Sequence, residues 1–218
     1  MRKFITAGAF AIIAAASASA ANAQVEYSGN VAVTTDYHWR GWTQSNQDLA
    51  LQGGFDLATD AGFYAGTWLS SIDFDDASDS NIEWDLYAGY GGEFAGGLGY
   101  DVGVIYYVYP DSDDSDYDFV ELYGGLSKEL ESGLGFSGYI YWDPDNETVY
   151  SEVGAGFGLE AVSFDANVGT YLDGFDEVTN YNFGATYSAA GFDFDLRYYD
   201  IDEDGADDNV VFSIGRAL

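Results

Sequence analysis

From Gln24 onward the chain repeats one pattern: a run of about ten residues with apolar side chains at every second position, then a connector, then another run. Twelve such segments are readable, near 26–40, 48–58, 62–72, 82–91, 97–109, 117–127, 133–142, 148–159, 162–172, 178–188, 191–199 and 208–218. A period of two places alternate side chains on opposite faces of a strand. The first segment offers Val31, Val33, Thr35, Tyr37 and Trp39 to one face, and Asn30, Thr34, Asp36, His38 and Arg40 to the other. The fourth sets Ile82, Trp84, Leu86 and Ala88 against Glu83, Asp85 and Tyr87, and the ninth sets Val162, Phe164, Ala166, Val168 and Leu172 against Ser163, Asp165, Asn167 and Tyr171. The third is ambiguous, because Phe63, Ala65 and Leu69 compete with Tyr64, Trp68 and Ile72.

The connectors alternate as well. Those after odd-numbered segments are longer and mostly acidic: 41–47, 73–81, 110–116, 143–147, 173–177 and 200–207. Those after even-numbered segments are mostly short, such as Thr59-Asp60-Ala61 and Ala189-Ala190. An even number of up-and-down strands with short turns at one end and longer loops at the other predicts an all-β, antiparallel transmembrane β-barrel of about twelve strands. Both termini then lie at the short-turn, periplasmic end. Soft boundaries in the third segment and in 117–142 also admit ten or fourteen strands. A secreted β-sandwich is the bland alternative, but nothing in that fold orders its loops long, short, long, short.

The acids follow the same phases. Asp48, Asp118 and Asp208 sit at the outer ends of their segments and count with the connectors; the eleven others within segments are Glu26, Asp36, Asp56, Glu83, Asp85, Asp101, Glu121, Glu152, Asp165, Asp193 and Asp195, all on the polar face. A carboxylate facing lipid costs energy that a lumen-facing one avoids. Asp118 and Asp208 fall on the apolar phase, so the barrel requires them at or beyond the membrane interface. All five Trp, at 39, 42, 68, 84 and 142, lie in or near the longer connectors, as an aromatic belt at one end requires.

Composition narrows the choice further. The 38 Asp and Glu against 6 Lys and Arg give a net charge of −32, which excludes a nucleic-acid binder working through a basic patch. With 47% hydrophobic and 18% aromatic residues the chain is too apolar for a charge-extended coil, and with no Cys it has neither disulfides nor thiolate ligands. Residues 1–23 read as a secretory signal: Arg2 and Lys3 are the charged end, Ala7 to Ala16 the apolar run, and Ala21-Asn22-Ala23 the cleavage site. The barrel then spans 24–218, where Arg40, Lys128, Arg197 and Arg216 face all 38 acids.

Residues 33 to 56 read Val-Thr-Thr-Asp-Tyr-His-Trp-Arg-Gly-Trp-Thr-Gln-Ser-Asn-Gln-Asp-Leu-Ala-Leu-Gln-Gly-Gly-Phe-Asp, and are followed by Gly62-Phe-Tyr-Ala-Gly and Ser71-Ile-Asp-Phe. Together with Glu83-Trp-Asp-Leu-Tyr-Ala-Gly-Tyr, Tyr100-Asp-Val-Gly-Val-Ile-Tyr-Tyr-Val-Tyr-Pro and Glu121-Leu-Tyr, they resemble the proteobacterial TorF porin family. The resemblance spans nearly the whole chain after residue 24 and is strongest before residue 125. It implies an outer-membrane location in a Gram-negative bacterium and a channel, and it supplies neither catalytic residues nor a solute.

The residues expected to line the pore are Asp36, His38, Arg40, Asp56, Glu83, Asp85, Asp101, Glu121, Glu152, Asp165, Asp193, Asp195 and Arg197. So acidic a lumen favours cations and repels anions, and predicts a passive channel for small solutes. Tyr87, Tyr107, Tyr139, Tyr141, Tyr150 and Tyr171 also point inward. They either constrict water or fill the lumen, and the second case gives a non-conducting structural or surface-interaction barrel. Gly154, Gly156 and Gly158 leave room on the same face. Arg40, near Gln44 and Ser45, either faces the acidic wall across the pore or pairs with Asp36 or a neighbouring strand; Asp193, Asp195 and Arg197 pose the same choice. A hydrolase would have to use His38, the single histidine, whose inward phase makes it a lining residue instead. No cofactor is implied. Asp200, Asp202 and Asp204 imitate the first half of a calcium loop, but Val211 stands where its bidentate Glu belongs. The acidic stretches 73–79 and 111–116 are candidates for divalent cations bridging to lipopolysaccharide, a partner expected alongside outer-membrane lipid, and solvated loops are the plainer reading.

Overall fold

The computed structural model describes residues 25–74, 80–110, 112, 117–174, 178–203 and 208–218. The signal segment, much of the acidic stretches 73–79 and 111–116, and Asp204 fall outside the described residues.

The strands are β1 (Val25–Thr34), β2 (His38–Trp39), β3 (Trp42–Thr43), β4 (Ala50–Thr59), β5 (Phe63–Ser71), β6 (Ile82–Phe94), β7 (Leu98–Val108), β8 (Phe119–Glu129), β9 (Gly135–Asp143), β10 (Thr148–Leu159), β11 (Val162–Asp173), β12 (Thr179–Ala189), β13 (Phe192–Ile201) and β14 (Asn209–Ala217). All but β2 and β3 form one closed barrel in sequence order. Closure comes from β1 pairing antiparallel with β14, Asn30 opposite Ala217 through Thr34 opposite Ser213, while its other edge pairs with β4. The twelve-strand antiparallel barrel expected from the alternation is therefore the fold. The connections 60–62, 95–97, 130–134, 160–161 and 190–191 gather at one end, and 35–49, 72–81, 109–118, 144–147, 174–178 and 202–208, most of them longer, at the other.

The faces sort as the period requires. Val33, Leu51, Phe55, Leu122, Val153, Phe183 and Leu196 are exposed outward, while Glu83, Asp85, Asp101, Glu121, Asp195 and Arg197 are buried inward. The ambiguous third segment resolves with Phe63 and Leu69 outward and Tyr64 and Trp68 inward. Asp118 and Asp208 immediately precede β8 and β14, at the rim, where Asp118 accepts hydrogen bonds from the Tyr109 amide (2.8 Å) and the Tyr106 hydroxyl (3.1 Å).

Two expectations need correction. The first strand ends at Thr34, not at residue 40. The left-handed backbone of Arg40 (φ 52°) and Gly41 (φ 95°) turns 35–49 back on itself as the hairpin β2–β3, with His38 opposite Thr43 and Trp39 opposite Trp42. Alternation simply resumes inside the hairpin, so the period alone hides the break. The tryptophan belt is also smaller than expected. Trp39 and Trp42 sit in the hairpin and Trp68 points inward, leaving Trp84 and Trp142 on the outer face. Outward Tyr and Phe supply most of both belts instead. Phe63, Tyr90, Tyr100 and Phe94 pack in series near the short turns, and Tyr181, Tyr198 and Phe183 near the long loops.

Inside, cross-strand pairs match a glycine to a tyrosine, so the ring can lie flat along the wall. Gly66 is opposite Tyr87, Gly103 opposite Tyr123 and Gly125 opposite Tyr139. A Cβ on Gly125 would lie 2.3 Å from the Tyr139 ring, whereas one on the outward Gly124 meets nothing nearer than 3.8 Å. Gly125→Ala is therefore expected to destabilise the detergent-solubilised barrel by about 1–3 kcal/mol through overpacking. Gly124→Ala should stay within about 0.5 kcal/mol. Melting temperatures of the two variants check this, and equal values would refute the ring-on-glycine account.

Candidate functional site: a hairpin-capped acidic lumen

The hairpin does not stand out from the rim; it folds into the long-loop end of the barrel and crosses the lumen. Its base is tied by Asp36, which is buried and accepts hydrogen bonds from Thr43 (2.6 Å), Ser45 (3.0 Å) and Asn209 on β14 (2.7 Å), and contacts His38 Nε2 at 2.8 Å. His38 Nδ1 lies 3.1 Å from the Gly41 carbonyl, and its ring stacks on Tyr199 of β13 at 4.4 Å. Burial opposes the charge on Asp36. The bonds from His38, Thr43 and Ser45 outweigh it and hold the carboxyl below its ordinary pKa.

The hairpin tip reaches the opposite wall. Tyr37 donates to Glu83 on β6 (2.8 Å) and packs edge-on against Trp68 at 5.3 Å. Trp39 packs against Tyr107 on β7 and Phe119 on β8. Arg40 pairs with Glu121 on β8 at 2.8 Å, donates to the Tyr171 hydroxyl at 3.3 Å, and lies over the rings of Tyr150 (4.1 Å) and Trp39 (4.2 Å). Gly41 fits against Asn180 and Ile201, where a Cβ would come within 2.8 Å of the Asn180 side chain. The hairpin thus touches β5 to β8 on one side and β10 to β14 on the other. Of the alternatives open for Arg40, the structure selects the far acidic wall over Asp36.

Below the hairpin, toward the short turns, lies a cavity of about 930 Å³. Asp36, His38, Arg40, Asp56, Asp85, Glu152, Asp193 and Asp195 line it. Glu83, Asp101, Glu121 and Arg197 also point inward and are buried in the wall, and Asp165 borders a smaller pocket with Gly154 and Gly156. Arg197 is locked on the wall, with Asp165 at 2.6 Å, Asn182 at 2.7 Å and Asp195 at 3.3 Å. Of the three expected glycines Gly158 borders the large cavity, whereas the Asn167 side chain lies over Gly154.

Sequence reasoning missed what satisfies the buried acids. Tyrosine hydroxyls are the donors: Tyr87 to Asp56, Tyr64 to Asp101 (2.7 Å), Tyr107 to Glu121 (3.1 Å), Tyr141 to Glu152 (3.3 Å), and Tyr109 with Tyr37 to Glu83 (3.1 and 2.8 Å). Their alternation beside inward acids on neighbouring strands was the available signal. Asp200 is taken up by Tyr181, by Tyr198 (3.1 Å) and by the Ile201 amide (2.8 Å). Among the described residues no three His, Asp or Glu gather as metal ligands.

Two outcomes follow from this geometry. Arg40→Ala leaves Glu121 buried without its counter-ion and is expected to cost about 3–5 kcal/mol, part of which Arg40→Ala with Glu121→Gln restores; thermal melts of the single and double variants decide. Because the pKa of Asp36 is lowered on folding, its stabilisation is complete above the ordinary value of 3.8 and fades as pH falls through the lower folded value. Acidification below about pH 4 should therefore expose the 35–49 hairpin to protease, and Asp36→Asn should expose it already at neutral pH. An acid-insensitive hairpin would contradict this.

The barrel is similar to three solved structures. The KdgM porin superposes with a TM-score of 0.63 at 9% identity, covering 88% of this chain and 98% of that one. The COG4313 outer membrane channel from Pseudomonas putida F1 gives 0.53 at 14%, covering 93% and 97%. Outer membrane phospholipase A from Escherichia coli gives 0.53 at 12%, covering 88% and 89%. At these identities the likeness establishes an outer-membrane barrel fold. Among curated proteins none matches the chain. A family model described as "Bacterial protein of unknown function (Gcw_chp)" matches residues 17–212, and the chain belongs to that family.

Proposed function

We propose that the chain is a channel in the outer membrane of a Gram-negative bacterium, passing small solutes by diffusion with a preference for cations. One observation carries the proposal: a closed barrel, apolar outside, encloses a cavity of about 930 Å³ whose lining has seven carboxylates against the single guanidinium of Arg40. A low-dielectric wall around such a lining concentrates positive ions and repels negative ones. The resemblance to TorF porins and the fold shared with the KdgM porin and the COG4313 channel support the channel part of this reading. In this orientation the short turns face the periplasm. The hairpin is the constriction at the outer end, and the acidic long loops meet lipopolysaccharide.

A barrel phospholipase has a similar fold. Here both nitrogens of His38 are engaged, by Asp36 and Gly41, and its side chain is 3% exposed, which supports a non-enzymatic role. A specific observation favours a second reading. Hairpin and tyrosines together fill the long-loop half of the lumen, as a non-conducting barrel with acidic surface loops would require.

Planar bilayers separate the two. The channel is expected to conduct in KCl, with a reversal potential across a salt gradient displaced toward the cation's equilibrium value. Anion preference would overturn the selectivity, and absence of conductance would favour the filled barrel. Replacing 35–49 by a short turn should raise conductance several-fold if the hairpin is the constriction.

A further inference from the structure

Arg40 shows how this lumen holds a cation. Its guanidinium lies between the rings of Trp39 and Tyr150, at 4.2 and 4.1 Å, with Tyr141 at 5.1 Å and Tyr171 at 5.6 Å, and Glu121 closes the cage at 2.8 Å. Rings supply negative faces and the carboxylate supplies the counter-charge.

The same parts recur at Asp85. In register, Asp85 is opposite Trp68 on β5 and Tyr107 on β7. The hairpin covers both neighbours, setting Tyr37 against Trp68 at 5.3 Å and Trp39 against Tyr107 at 6.1 Å. All five residues line the cavity. Asp85 is only 1% exposed, yet its Oδ1 has no hydrogen-bond partner among the described residues. The adjoining acids differ: Glu83 has Tyr37 and Tyr109, and Glu121 has Arg40 and Tyr107. A buried carboxylate oxygen without a donor is costly, and a cation in the cavity would remove that cost.

We propose that Asp85, Tyr37, Trp39, Trp68 and Tyr107 form a binding site for the ammonium head of a small organic cation. The chemistry favours an alkylated ammonium over a hydrated metal ion. One carboxylate cannot replace a metal's water shell, whereas ring faces suit a weakly hydrated, apolar-clad charge. The proposal rests on the channel assignment only for the route by which solute reaches the site.

Trp39 and Trp68 report on the site directly. Full-length protein in detergent is titrated with choline chloride, followed by tryptophan fluorescence, against NaCl at matched ionic strength. A saturable change with choline and none with NaCl is expected. Asp85→Asn, which keeps the shape and removes the group that can become the counter-charge, should weaken choline binding at least about tenfold, and Trp68→Leu several-fold, with the melting temperature confirming a folded barrel in each case. Equal choline affinity in wild type and Asp85→Asn, or in wild type and Trp68→Leu should the first variant not fold, overturns the site, as does an equal response to NaCl. Conductance in KCl without choline is recorded separately. Conductance without choline binding overturns the site and leaves the channel standing; choline binding without conductance overturns the channel and leaves the site.

Discussion

A closed wall that buries so many carboxylates must also satisfy each of them, and most other features of the barrel follow from that demand. A carboxylate taken from water must be given donors or a counter-ion. With four basic residues after residue 24, ion pairs cannot do this, and two of the four point elsewhere: Lys128 reaches the Gly96 carbonyl at a short turn and Arg216 lies over the Phe192 ring. Phenolic hydroxyls take the task instead. They bring large rings, the rings need space, and the glycines opposite them provide it. Acid, tyrosine and glycine are thus three parts of one device spread over adjacent strands.

The hairpin belongs to the same device. Arg40 is the basic group that the sequence can place far from its own strand, and its pairing with Glu121 across the lumen fixes where the hairpin tip must lie. Asp36 fixes the base through Thr43, Ser45 and Asn209. With both ends held, Tyr37 and Trp39 have little choice of position, and each settles on a ring of the wall. The cap is consequently specified by two buried charges and their partners, with the aromatic contacts following from them.

Most of the barrel was legible because membrane and lumen impose opposite polarities on a period of two. Asp118 and Asp208, which seemed to break the rule, lie just outside β8 and β14, so even the exceptions were informative. The hairpin was not legible. Val31 to Trp39 keeps one alternation through the end of β1 and into β2, and only the Arg40-Gly41 turn, with its positive φ, separates a long strand from a strand and a hairpin. Pairing across the lumen left no local trace either, since Arg40 and Glu121 are 81 residues apart. The tryptophans misled for the same reason: closeness to a long connector does not say whether that connector turns outward or in.

The division of charge between the two faces also sets the electrostatics of any solute path. Arg197 is spent on Asp165 and Asp195 within the wall, and Arg40 on Glu121, so neither is a free positive charge in the cavity. Tyrosine hydroxyls stabilise carboxylates without cancelling them, because a neutral donor lowers the cost of a charge and leaves its sign. Under the proposed channel reading, this choice of partner leaves the sign of the lining to its carboxylates. A wall balanced by lysines and arginines would instead have cancelled that charge. Tyrosine in place of a base as the partner lets the protein bury its carboxylates without spending a positive charge on each, which is the arrangement the proposed cation preference requires.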